Sequence, residues 1–251
     1  MLDLVHEHQL LAIRDQNLDP LALERIARGL GELDVYPFGR ALPGRRHVVA
    51  VVKNPGDRHN FGGAWHTDSS YLERPPALTL LYAVELPAAG GDTLFADMCA
   101  ALEALSPGLR GILEKLEAHN TAALVHDAQG AYGAVAGESV ARRPADIVTD
   151  AVHPVVRVHP ATGRQALYVS RIHTERFAGM TREESLPLID FLQDFATRPE
   201  RVTRLTWRPG TLAIWDNRTV QHYPQNDYTG QRREMYRLIV RGERPQALPR
   251  P

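Results

Sequence analysis

The tetrapeptide Trp65-His66-Thr67-Asp68 sets an imidazole and a carboxylate two residues apart. On an extended strand successive side chains alternate faces, so His66 and Asp68 are expected to point the same way and to meet one metal ion together. The Gly62-Gly63 pair leads into this strand, and Pro75-Pro76 ends it. A third ligand has to come from elsewhere. His222 lies so far downstream that only a folded sheet returns it to the same point.

A second stretch decides what stands beside the metal. Arg233-Glu234-Met235-Tyr236-Arg237-Leu238-Ile239-Val240 is rich in β-formers and reads as a strand. Arg233, Met235, Arg237 and Ile239 then share one face, the two arginine stems roughly 13 Å apart. A single inward arginine is most simply explained by a protein carboxylate. Two on one strand suit a small dicarboxylate chelated to the metal at one end, because a buried guanidinium is costly without an anion. Two histidines and a carboxylate around a metal with open positions is the ligand set of non-haem Fe(II) oxygenases. The same set permits a zinc hydrolase, which gives no reason for the inward arginines and lacks an evident general base, or a binding protein with a dead metal site, against which the intact ligand triad argues.

The rest of the chain supplies a β core with helices laid against it. Val48 to Lys53 and Ala77 to Val84 read as buried strands. Asp19-Pro20 opens an amphipathic helix with Leu21, Leu23, Ile26 and Leu30 on its period, stopped by Gly31. Ala96 to Leu116 and Thr181 to Phe195 also have helical spacing, the latter with Leu186, Ile189, Leu192 and Phe195 as its inner face. Residues 122 to 150 are rich in Ala and Gly without a period and read as a loop or lid. At 251 residues, 43% hydrophobic, one domain spanning 1–251 is expected. A formal net charge of −1 provides no global field for nucleic acid or an anionic membrane. No apolar run reaches a membrane span, and His6, Glu7 and His8 interrupt the start. A soluble cytoplasmic protein follows, and the single cysteine, Cys99, reads as a packed thiol in a reducing compartment.

These motifs, with Ile13-Arg14-Asp15-Gln16, Gly31-Glu32-Leu33, Gly90-Gly91-Asp92-Thr93 and Trp215-Asp216-Asn217-Arg218, resemble those of the taurine dioxygenase and 2,4-dichlorophenoxyacetate dioxygenase family over nearly the whole length. The resemblance implies a double-stranded β-helix, or jelly roll, using Fe(II), 2-oxoglutarate and O₂ to hydroxylate a small or medium anionic substrate, with release of succinate and CO₂. It implies His66, Asp68 and His222 as iron ligands. Thr93 and Arg237 would hold the distal carboxylate of 2-oxoglutarate, and Arg233 would stand near the proximal one. Halogenases of this broad class lack the carboxylate ligand, and Asp68 argues against that activity.

Substrate identity is less legible. Gly62 occupies the place of a substrate-contacting Asn in taurine dioxygenase, which implies a substrate bulkier than taurine. Tyr71 is expected to line the pocket, and so is His173, in a segment whose counterpart in the family lies near the active site. The other histidines weighed, His47, His119, His126, His153 and His159, read as surface or satisfied side chains, and Trp215 as packing around the site. The Gly90-Gly91-Asp92 run reads as a tight turn. Longer relatives carry an extra strand before the position of Ile13. Its lack here leaves an edge that is open or used in a homo-oligomer, a dimer or tetramer.

Overall fold

A computed structural model of the chain describes residues 1–126 and 148–249. Most of the segment expected to act as a lid, residues 127–147, lies outside the described residues. In chain order the strands are β1 (Leu10–Ile13), β2 (Leu33–Asp34), β3 (Ala41–Leu42), β4 (Arg45–Lys53), β5 (Leu78–Glu85), β6 (Thr93–Asp97), β7 (Glu117–Thr121), β8 (Asp150–Pro154), β9 (Val156–Val158), β10 (Gln165–Leu167), β11 (Thr174–Phe177), β12 (Val202–Leu205), β13 (Leu212–Asp216), β14 (Val220–Pro224) and β15 (Arg233–Val240). The α-helices are α1 (Leu2–His8), α2 (Pro20–Arg28), α3 (Met98–Glu103), α4 (Pro107–Leu113), α5 (Ala123–His126) and α6 (Arg182–Ala196).

The larger sheet is antiparallel, with strand order β1-β13-β5-β15-β4-β3 and β2 added along the end of β15. It faces a three-stranded sheet, β12-β6-β14. Between them Leu81, Ala83, Ala213, Trp215 and Met235 meet Phe95, Leu205 and Val220. The opposite face of the larger sheet carries Leu80, Tyr82, Ile214 and Leu238, covered by Leu23 and Ala27 of α2. Strands buried on both faces read as apolar runs, which is why Leu78 to Ala83, Thr79 apart, shows no alternation. On the far side, α3 and α6 pack Met98, Leu102, Ile189 and Leu192 against Ala96, Val156 and Leu167. This is the expected jelly roll, mainly β with helices on its flanks.

Local chemistry sets the helix boundaries. Asp19 accepts a hydrogen bond from the Ala22 amide, and Pro20 takes the first helical position, where its missing N–H is not needed. Thr181 and Glu184 close a reciprocal capping box at the start of α6. Ser106 starts a second helix, so the helical region expected from Ala96 to Leu116 divides into α3 and α4, while Ala96 itself belongs to β6.

Three expectations are corrected. His66 and Asp68 do not lie on a regular strand: His66 forms an isolated bridge with His222, and Asp68 sits in a turn that continues through Ser69 at φ 48. On α6 Leu186 is exposed, and Ser185 and Gln193 are buried beside Ile189 and Leu192, because the helix is rotated toward β11 and β14, where both polar groups find partners. On α2 Leu21 is exposed, whereas Glu24 is buried and paired with Arg45.

The rotation of α6 is testable with two leucines that periodicity treats alike. Leu192→Ala should cost about 2–5 kcal/mol in urea unfolding, and Leu186→Ala less than about 0.5 kcal/mol. Equal losses would contradict the packing of this helix.

Candidate active site

The site begins with a backbone contact between the two histidines. The His66 amide donates to the His222 carbonyl at 3.1 Å and the His222 amide donates back to His66 at 2.8 Å. This two-bond bridge brings the imidazoles to 4.1 Å between ring centroids. His66 Nδ1 stands 2.7 Å from the Ala64 carbonyl. A carbonyl only accepts, so Nδ1 carries the hydrogen and Nε2 keeps its lone pair. Burial lowers the pKa of both imidazoles, His222 well below the ordinary value, which keeps them neutral and able to ligate.

Asp68 completes the set. Its Oδ1 lies 3.7 Å from His66 Nε2 and 4.0 Å from His222 Nε2. With metal–ligand bonds of about 2.1 Å, two ligands of one ion stand at most about 4.2 Å apart. The donor set and its spacing therefore fit a divalent metal. Oδ2 is turned away from this space and accepts from Thr79 Oγ1 at 2.5 Å. Thr79 in turn accepts from Asn217 Nδ2, whose Oδ1 accepts from Trp215 Nε1, so a chain of buried hydrogen bonds orients the carboxylate. Arg237 Nη2 makes an ion contact with Oδ2 at 2.9 Å. Burial would push the Asp68 carboxyl up, but Arg237 and the two imidazoles hold it far below the usual range.

The two arginines sit at different depths. Arg237 lies over the Tyr36 ring at 4.4 Å and beside Phe61 at 6.0 Å. Arg233 is only 6% exposed, and its Nε and Nη2 have no hydrogen-bond partner among the described residues. Its guanidinium lies 5.8 Å from the ring of Trp207, which donates to Thr93 Oγ1 at 3.0 Å. The structure brings Arg233, and not Arg237, to the end of the site that holds Thr93. Arg233 shares its end of the site with Thr93, while Arg237 reaches the metal ligands, because Arg237 pairs in register with Leu81, one turn of the pleat from Thr79.

Two cavities meet at the triad. One is lined by His66, Asp68, His222, Thr93, Arg233 and Arg237 among others. The second is walled by Tyr36, Ser69, Tyr71, Val125, Ile172 and His173 and shares Phe61, Gly62, His66 and Asp68 with the first. The three residues expected on the substrate side, Gly62, Tyr71 and His173, thus come together. Gly62 has its own physical cause: its φ is +80, and a Cβ there would fall 2.9 Å from His66 Cε1. Tyr71 packs edge-on against His173 at 4.9 Å, and His173 Nδ1 pairs with Ser70 Oγ at 2.9 Å.

The sequence gives no sign of Tyr36, Phe61, Thr79 and Trp207 as site residues. An aromatic in a loop or a threonine within an apolar strand carries no local signal of a site. The Trp215-Asp216-Asn217-Arg218 run did stand out, and its polar members now have work: Asn217 serves Asp68, and Asp216 is held by His159 at 2.9 Å and by Arg218 at 2.6 Å. His6, His159 and Asp216 form a second group with metal-like spacing. The Arg218 guanidinium already bonds Asp216 and His6 there, so a cation fills that role. Cys99 is buried, and burial pushes its thiol up to about 12, in keeping with a packed, unreactive group.

Known proteins resemble this chain in sequence and fold. The family model described as "Taurine catabolism dioxygenase TauD, TfdA family" matches residues 1–239, and the chain belongs to this family. An alpha-ketoglutarate-dependent sulfate ester dioxygenase of Pseudomonas putida is 35% identical over 95% of this chain and 78% of its own length. A (S)-phenoxypropionate/alpha-ketoglutarate-dioxygenase of Sphingobium herbicidovorans is 31% identical over 94% of this chain and 83% of its own. Among solved structures, a taurine dioxygenase from Burkholderia xenovorans superposes with a TM-score of 0.78 at 28% identity, covering 98% of this chain and 82% of that one. AAD-2 in complex with Mn(II) and N-oxalylglycine reaches 0.79 at 26% identity, covering 97% and 86%. The chain is an oxidoreductase of the dioxygenase type. None of the helices among the described residues is long and apolar enough to cross a membrane.

The Asp216 cluster sets an acid limb of stability. Burial raises the Asp216 carboxyl, but hydrogen bonds from His159 and Arg218 outweigh it and hold the folded value at about 2, below the ordinary 3.8. A depressed carboxylate stabilises the fold above its unfolded pKa, and that contribution is lost as pH falls from about 4 toward 2. Wild-type protein should lose about 2–3 kcal/mol across this window from this group, and Asp216→Asn should show a flatter limb in urea titrations at each pH.

Proposed function

We propose that the chain is an Fe(II)- and 2-oxoglutarate-dependent dioxygenase that hydroxylates a small or medium anionic organic molecule. One observation carries this reading: a cavity bounded by His66, Asp68 and His222 also holds Arg233, buried with unpartnered donors. Three neutral-or-anionic ligands suit a divalent metal, and a buried guanidinium without a protein carboxylate suits the far carboxylate of a keto acid. Bound there, iron, the keto acid and O₂ would supply an oxidant able to attack a C–H bond, with succinate and CO₂ as co-products.

The chain's own groups do the positioning. His66, Asp68 and His222 would hold the metal, with the Thr79–Asn217 hydrogen bonds keeping Asp68 Oδ1 turned toward it. Arg233 and Thr93, joined through Trp207, would receive the distal carboxylate at their end of the cavity. Arg237, between the cavities, would lie near the metal-bound end of the cosubstrate and face the substrate side over Tyr36. Tyr71, His173 and Phe61 would exclude water around the reacting carbon.

An anionic substrate follows from the charges. Asp68, Arg233 and Arg237 leave one positive charge over once a dication and a dianion are bound, and a monoanion neutralises it. The relatives named for sulfate esters and phenoxypropionate agree with that sign. Gly62, whose backbone lies close against His66, puts no side chain into the cavities it lines, which favours a substrate larger than taurine. We place the protein in the cytoplasm as a single-domain homo-oligomer acting on small molecules, not nucleic acid, in keeping with its near-neutral formal charge of −1.

Anaerobic titration of the protein with Fe(II) and 2-oxoglutarate should produce the visible charge-transfer band of a chelated keto acid. Its absence would overturn the reading. Asp68→Ala should abolish metal-dependent succinate release, and retained turnover at saturating iron would remove Asp68 from the ligand set. Arg233→Gln should weaken 2-oxoglutarate by about 10²–10³-fold through loss of a buried charge partner. Arg237→Gln should instead raise the KM of the anionic substrate more than that of 2-oxoglutarate.

A further inference from the structure

Behind the Arg233 end of the cosubstrate cavity stands a second cation, Lys53. In the β4–β15 ladder Lys53 pairs directly with Arg233, so both side chains project from the same face. Both are buried, at 5% and 6% exposure. Like charges directly opposed across a ladder are destabilising, more so away from water. Among the described residues neither has a carboxylate within ion-pair distance, and Asp57, the acid that acts on Lys53, accepts the Asn54 amide at 2.7 Å. Lys53 Nζ rests 4.0 Å over the Tyr228 ring. The Tyr228 hydroxyl is buried without a hydrogen-bond partner and lies within the field of Arg233.

The Gly90-Gly91 turn builds this corner. A Cβ on Gly90 would fall 2.6 Å from Asp227 Oδ1, and one on Gly91 would come to 3.3 Å from Pro87 Cγ and touch the Tyr228 ring at 3.4 Å. The Gly91 amide donates to Asp227 Oδ1 at 2.7 Å. Two glycines at positive φ therefore let the Asp227-Tyr228 segment close against β6, one residue before Asp92 and two before Thr93. Arg233 and Thr93 line this end of the cavity, and Lys53 and Tyr228 stand behind Arg233, with no carboxylate among the described residues paired to either cation.

We propose that Lys53 is a positioning residue that makes this end selective for keto acids bearing a second carboxylate. Its ammonium, seated on Tyr228 and opposite Arg233 in the ladder, adds positive charge on the side where the distal carboxylate arrives, and the cost of burying it without a carboxylate partner is offset when that carboxylate binds. The inference rests on the cosubstrate reading above and deepens it.

The test measures binding without turnover. Mn(II)-loaded wild type, Lys53→Met and Lys53→Arg would be titrated calorimetrically with 2-oxoglutarate and with 2-oxobutyrate, which lacks the second carboxylate. Lys53→Met should bind 2-oxoglutarate about tenfold more weakly with 2-oxobutyrate unchanged, and Lys53→Arg should restore the preference. The ligand-free Lys53→Met protein should melt at a higher temperature than wild type, and 2-oxoglutarate should raise its melting temperature less. Unchanged 2-oxoglutarate affinity in Lys53→Met, or an equal loss for both keto acids, would overturn the role of Lys53 while leaving the cosubstrate reading intact. Wild-type protein that binds neither keto acid would overturn both.

Discussion

The pair of backbone hydrogen bonds between His66 and His222 joins two distant parts of the chain at one point. Everything at the site depends on that bridge. It holds two imidazoles side by side at the mouth between the sheets, and it places the turn carrying Asp68 where its carboxylate can face both. Because the contact is made by backbone groups, ring orientation is left to other partners: the Ala64 carbonyl for His66, and packing against Trp215 and Phe95 for His222.

Burial determines the electrostatics around this point. A carboxylate enclosed by the fold would ordinarily resist ionisation, yet Arg237, two imidazoles and the Thr79 hydroxyl keep Asp68 charged. The imidazoles respond in the opposite sense and stay neutral. The site thus presents one anion and two lone pairs toward a metal while carrying a surplus of guanidinium charge. That surplus is costly in an empty cavity, and a bound dianion offsets it. Stability is given up here for binding, and the two packed sheets and their covering helices supply what is lost.

Division of labour between the two cavities follows from the strand directions. β15 runs along the cavity floor, so its inward residues address successive depths: Arg233 with Trp207 and Thr93 at one end, Arg237 with Asp68 and Tyr36 at the other. Gly62 and Phe61 touch both spaces, and the glycine is required where a side chain would strike the His66 ring.

Much of this was legible in residue order. The spacing of His66 and Asp68, the distant His222, and two arginines four apart in a β-forming run sufficed for a metal, a dicarboxylate and a mainly β fold, because ligand chemistry and alternation are local properties. The burial of β5 on both faces and the caps of α2 and α6 were equally local. Tertiary structure alone decided the rest. Which arginine meets Thr93 depends on the register of β15 against β5, and neither the spacing nor the shared face of the two arginines carries that information. Asp68 lies in a turn and not on a strand because the bridge to His222 ends the pairing at His66. Thr79, Asn217, Tyr36 and Phe61 acquire roles only when distant segments converge, since a hydroxyl, an amide or a ring has no meaning for the site until the fold decides what it touches.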